Sequence, residues 1–134
     1  MESLIASAIL LVVILAVSQA ITAGQQHAFE AQQRIAGTLA AEDLMGRIIV
    51  EEYDSIGDWD GYTEQVGTMT DIDNESMPKV FNSVGREAVV TSTLKSFDGL
   101  NVNVAGYDVV VRAFDEDGRV LAELQRFIAE PAGN

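Results

Sequence analysis

The chain has 134 residues, 21 of them acidic and 8 basic, for a net charge of −13, and it contains no cysteine. The basic residues are scattered, so a groove that tracks a phosphate backbone is excluded, and the missing thiols exclude disulfide staples, thiolate catalysis and Cys-type zinc centres. A hydrophobic content of 48% sets the chain apart from a disordered polyanion.

The first element is apolar throughout. Residues 8–17 contain no polar side chain, and widening the window to 4–23 adds only Ser7, Ser18, Gln19 and Thr22. About twenty helical residues at roughly 1.5 Å each cross a hydrocarbon layer of about 30 Å. A helix satisfies its own backbone in lipid, where an irregular segment does not. Residues 1–24 therefore read as a membrane-inserted helix. Leu4, Ile5, Ala8, Ile9, Leu11, Val12, Leu15 and Ala16 are its membrane and helix-packing positions. Small residues such as Ala6, Ser7, Ala20 and Ala23 let a neighbouring helix approach closely. Glu2 places a carboxylate at the start of the run, and a carboxylate among apolar helices marks function unless it rests at the membrane surface. A secretory signal is the competing reading, with Ser18-Gln19-Ala20 as a small-x-Ala cleavage pattern. It fits less well, because the first basic residue is Arg34.

Over residues 25–53 the apolar positions thin out and become periodic. Ala28, Ala31, Ile35, Leu39, Leu44, Ile48 and Ile49 recur at steps of three and four, with Phe29, Ala36, Ala40 and Met45 alongside. Gln, Glu and Arg fill the other side. This is an amphipathic helix with one stripe to bury. Nothing forces a break before Tyr53, so a single helix of about fifty residues, roughly 75 Å long, is expected. His27, the only histidine, reads as a surface residue of that helix.

Residues 54–134 form the third part, a small β-rich domain. It opens with a turn-rich acidic loop over 54–78, expected to have little regular structure and to be pinned by Trp59 and Tyr62. Asp71, Asp73, Asn74 and Glu75 alternate oxygen ligands as calcium loops do. They lack the Gly and distal Glu of an EF-hand, so a solvated acidic loop is the stronger reading and no metal is assigned. The same holds for Asp54, Asp58 and Asp60. Strands are expected over 86–97, 107–114 and 119–129. A turn at 97–101 joins the first two, and Asp115-Glu116-Asp117-Gly118 joins the last two, because Asp-Gly tolerates positive φ. In the last strand Val120, Ala122, Leu124 and Arg126 face one way, and Leu121, Glu123, Gln125 and Phe127 the other. A three-stranded antiparallel meander has one face to bury, and the amphipathic helix supplies its cover. The expected fold is α+β, with the tail at 131–134 frayed.

No Ser-His-Asp set, no singled-out carboxylate pair and no phosphate-cradling Gly loop can be assembled. The chain does not read as an enzyme and no cofactor is expected. Glu2-Ser3-Leu4-Ile5-Ala6-Ser7-Ala8-Ile9-Leu10, running on through Val17, resembles the start of type IV pilin-like proteins. These include minor pilins and the pseudopilins of type II secretion systems. The hairpin over 107–129, with Asp-Glu-Asp-Gly-Arg at its tip, is also similar to their last strands. The resemblance implies a long N-terminal helix on a small antiparallel sheet. It implies a subunit held in the inner membrane by one span, with its C-terminal domain in the periplasm or outside the cell, which then joins a filament with other pilin-like subunits through assembly machinery. Glu2 would pair with the terminal amine of a neighbouring subunit and set the register. A basic leader ending in Gly, its removal and N-methylation are implied as well; only Met1 precedes Glu2 here. The alternative is a single-pass anchored or secreted extracytoplasmic binding domain that never polymerises.

Overall fold

The computed structural model describes residues 2–97, 99 and 102–132, with side chains from Ser3 onward. Asp98, Leu100 and Asn101 of the expected 97–101 turn, and Gly133 and Asn134 of the expected frayed tail, lie outside the described residues.

The chain begins with one long helix, α1 (Glu2–Ile49). No proline interrupts it, and its isolated glycines each cost only about 1 kcal/mol against alanine. It stops four residues before the expected Tyr53. Glu52 turns extended (φ −63°, ψ 140°) and opens a 3-10 helix over Tyr53–Trp59. The strands follow as β1 (Thr63–Glu64), β2 (Gly85–Phe97), β3 (Val102–Phe114) and β4 (Val120–Ala129), with a further 3-10 turn at Lys79–Phe81. They form one antiparallel sheet in the order β1-β2-β3-β4.

The molecule divides into two units, Met1–Gln32 and Gln33–Asn134. In the second, the C-terminal part of α1 packs on the sheet, giving an α+β fold. Its core joins Ala40, Leu44 and Ile48 of the helix to Ala88, Val109, Val111 and Ala113 of the strands, with Ile56, Met69 and Val84 from the connections. Burying such side chains stabilises the fold by about 25 cal/mol per Å² of apolar area.

Three expectations need correction. The buried helix stripe is Ala36, Gly37, Ala40, Ala41, Leu44, Met45 and Ile48, while Ile35 (60%) and Leu39 (50%) are exposed. Close approach selects small residues here: a Cβ on Gly37 would sit 2.6 Å from the Leu121 Cβ of β4. The acidic loop is ordered where little regular structure was expected. Ile56 of its 3-10 helix is buried, Trp59 and Tyr62 pack against the core, and β1 adds a fourth strand. That strand is fixed by main-chain bonds from Gly61 to Ala88 (3.1 Å) and from Ala88 to Tyr62 (2.9 Å).

Thirdly, the facing of β4 inverts at its start. Ala113 pairs with Ala122 but Phe114 pairs with Val120. The extra residue, Leu121, bulges toward the helix, so Leu121 is half-buried and Val120 exposed. The loop before it is longer than a two-residue Asp-Gly turn. Asp115 N–H donates to the Arg119 carbonyl (3.0 Å), and Gly118 alone takes positive φ (76°). The Asp115 carboxylate accepts the N–H groups of Asp117 (3.1 Å) and Arg119 (2.9 Å). The Arg119 N–H holds that carboxyl below its ordinary value against the opposing effect of burial, and the Arg119 side chain adds to it.

Candidate assembly surface of the helix

The first unit is helix alone, and among the described residues nothing covers its apolar side chains. Leu4 (73%), Ile5, Ile9, Leu11, Val12 and Leu15 (53%) are all exposed, as are Ala8 and Ala16. By length and composition this is one helix able to cross a membrane, near the N-terminus. Two of its hydroxyls are satisfied within the helix. Ser7 Oγ donates to the Ser3 carbonyl (2.7 Å) and Thr22 Oγ1 to the Ser18 carbonyl (3.0 Å), so neither presents an unmet donor. Glu2 is the first residue of α1; its side chain lies outside the described residues. His27 is exposed.

In the second unit the helix carries two apolar faces. One is buried against the sheet. On the other, Ile35, Leu39 and Ile49 remain 42–60% exposed, within an arc of about 80° of the helix surface that also holds Gly46. Sequence periodicity merged these faces into one stripe, because both contribute apolar residues at steps of three and four.

Beside the apolar core, helix and sheet are also joined by a charged cluster that the sequence reading missed. Arg86, at the start of β2, is fully buried. Its Nε donates to Glu64 of β1. The other nitrogens donate to Asp43 Oδ2 (2.7 Å) and the Ala40 carbonyl (3.1 Å) of α1, and to the Thr70 carbonyl (2.8 Å) of the acidic loop. Arg47 adds a second bond to Asp43 (2.7 Å) and one to Thr70 (2.8 Å). Glu64 in turn accepts the Thr70 N–H and hydroxyl, both at 2.9 Å. Helix, two strands and loop are thereby tied at one point. Burial pushes the Glu64 carboxyl up, but the Arg86 guanidinium and Thr70 outweigh it and hold the carboxyl below its ordinary range. Burial likewise disfavours charge on Arg86, and its two carboxylates overcome this.

Two of the loop carboxylates serve the backbone. Asp71 Oδ1 accepts the N–H groups of Asp73 and Glu75, each at 2.9 Å, across a tip where Asn74 has φ 62°. Asp60 Oδ1 accepts the Val90 N–H (3.0 Å) and caps the β2 edge. Among the described residues no group of three or more His, Asp or Glu converges as a metal ion requires.

Comparison with protein-family models, with characterised proteins and with solved structures finds no match.

Proposed function

We propose that the chain is a structural subunit of a type IV pilus-like filament or a type II secretion pseudopilus. The observation that carries this reading is the apolar surface of α1, uncovered from Leu4 to Ile21 and again at Ile35, Leu39 and Ile49. Before assembly, lipid of the inner membrane covers the first part; in the filament, neighbouring helices do. With no hydrophobic drive between helices in lipid, their association rests on close packing and small residues. Ala6, Ser7, Ala8, Ala16 and Ala20 supply these. Ile35, Leu39 and Ile49 lie beyond the membrane segment and require a protein partner rather than lipid. Glu2 would fix the axial register against a neighbour's terminal amine. The protein acts by assembly, and its acidic domain faces outward.

The test is to shear cells expressing the chain with its native upstream sequence and examine the released fraction by microscopy and blot. Filaments are expected from the wild type and none from Glu2→Ala. An Ile35→Ser/Leu39→Ser double variant should fold normally, since neither side chain is in the core, yet release at least tenfold fewer filaments. If all three stay equally in the membrane fraction, the filament reading fails. The chain is then a single-pass anchored binding domain.

A further inference from the structure

The second unit has a groove that the assembly reading does not use. It lies between the end of α1, the 3-10 helix and the tip of the acidic loop, with a volume of about 260 Å³. Val50, Trp59, Tyr62 and Ile72 line it. The Trp59 and Tyr62 rings meet edge to face at 4.9 Å. Val50 (80%) and Ile72 (73%) are the two most exposed large apolar side chains among the described residues of this unit. Two such side chains facing one aromatic-lined groove form an apolar patch that water covers poorly.

The stretch that supplies most of its lining carries charge of one sign. Residues 48–78 hold nine Asp or Glu and no Lys, Arg or His. Glu51 lines the groove, and Asp71, Asp73 and Glu75 alternate with Ile72 and Asn74 along the tip. The one cation in the lining, Arg47, is engaged with Asp43 and the Thr70 carbonyl. A second copy of this chain is a poor occupant. Each copy carries −13, and five of its eight basic residues are bound to its own carboxylates. Like-charged surfaces oppose association, whereas an opposite charge steers a partner in and orients it.

We propose that this groove docks a basic segment of a different protein, in which Lys or Arg residues flank one or two apolar side chains. The apolar side chains seat on Val50, Ile72 and the Trp59–Tyr62 pair. The cations meet the surrounding carboxylates and the aromatic faces. This holds whether or not α1 polymerises.

Trp59 is the only tryptophan in the chain, so its emission reports occupancy of the groove directly. Full-length protein in zwitterionic micelles is titrated with a short blocked peptide alternating lysine and leucine. A saturable change in Trp59 emission is expected. Val50→Ser/Ile72→Ser should weaken it at least tenfold without unfolding the protein, both side chains being outside the core. Glu116→Gln/Asp117→Asn, at the β3–β4 turn, should change it less than twofold. Equal binding of a lysine–serine peptide would reduce the interaction to bulk charge and overturn the proposal. So would an unsaturable response. A shift that depends on protein concentration alone would assign the groove to a second copy and likewise overturn it.

Discussion

Arg86 and Arg112 sit on adjacent strands and each meets two carboxylates, yet they occupy opposite faces of the sheet. Arg112, on β3, bonds Glu123 across to β4 (2.6 Å) and lies 3.7 Å from Glu87 of β2; its side chain is 40% exposed. Arg86 is 0% exposed and bonds groups that lie up to 46 positions away in the chain. Pairing is therefore similar and desolvation is not. An exposed pair exchanges good water contacts for a screened attraction and contributes about 0–1 kcal/mol. A buried cluster has already lost its water, so removing one member leaves the others without either water or partner. Arg86 is best understood as a tie that fixes where the helix, β1 and the acidic loop meet, rather than as a large net source of stability.

The sharpest way to break the comparison is Arg86→Ala. It leaves the buried Glu64 carboxylate with the Thr70 N–H and hydroxyl but no cation, and removes one donor each from the Ala40 and Thr70 carbonyls. A loss of about 3–5 kcal/mol is expected, read by chemical denaturation, with the acidic loop losing protection from hydrogen exchange first. A loss under about 1 kcal/mol would mean that water reaches the cluster and that the two arginines are equivalent.

Acid should act on the same point. Because Glu64 is held below its ordinary value of 4.5, the folded state binds its proton less readily than the unfolded chain does. Its contribution is complete above that value and is lost as pH falls through the lower folded value. Glu64→Gln removes this dependence. At neutral pH it should cost about 1.5–3 kcal/mol, the range for a hydrogen bond to a charged group. Below pH 4 the gap between variant and wild type should narrow. Asp115, also depressed, leaves both proteins some acid sensitivity. Asp43 is more exposed, at 38%, so water compensates in part when its charge is removed. Asp43→Asn should cost about 1 kcal/mol on the same scale, and a value matching Arg86→Ala would place the weight of the cluster on the helix side.

The helix and the three long strands were legible because each satisfies a local rule. Residues 4–23 are apolar without proline, Val109-Val110-Val111 is β-branched, and Asp117-Gly118 supplies the positive φ of the last turn. What stayed hidden depends on partners distant in sequence. Arg86 is one charged residue at a strand start. The only local sign of its burial is that it shares a strand face with Ala88 and Val90. The helix phase was misread because bulk dominates a hydrophobic pattern. The expected stripe includes the buried Ala36, Ala40, Leu44, Met45 and Ile48 but also Ile35 and Leu39, which the sheet contact leaves exposed. Two residues of β1 have no period to read, and the bulge at Leu121 reverses facing without changing composition. The apolar run over 4–23 was open to sequence reading because length and composition alone mark a helix able to cross a membrane. The Trp59 groove was not, because Val50 and Ile72 come to line one groove only in the folded chain.

The smallest effect sharpens the comparison most. Arg112→Ala removes both outer-face pairs, and the Arg112 side chain keeps enough water contact that its partners are rehydrated rather than stranded. The expected cost is at most about 1 kcal/mol. Salt provides the discriminating measurement. At 0.1 M the screening length is about 10 Å, and at 1 M about 3 Å, so the Arg112→Ala penalty should shrink toward zero across that range while the Arg86→Ala penalty holds. Screening also relieves the repulsion among the carboxylates of a chain with net charge −13. Wild-type stability should therefore rise with salt even as the Arg112 pairs fade. Measuring both variants against wild type at each salt concentration cancels that shared rise, leaving only the difference between a charge in water and a charge removed from it.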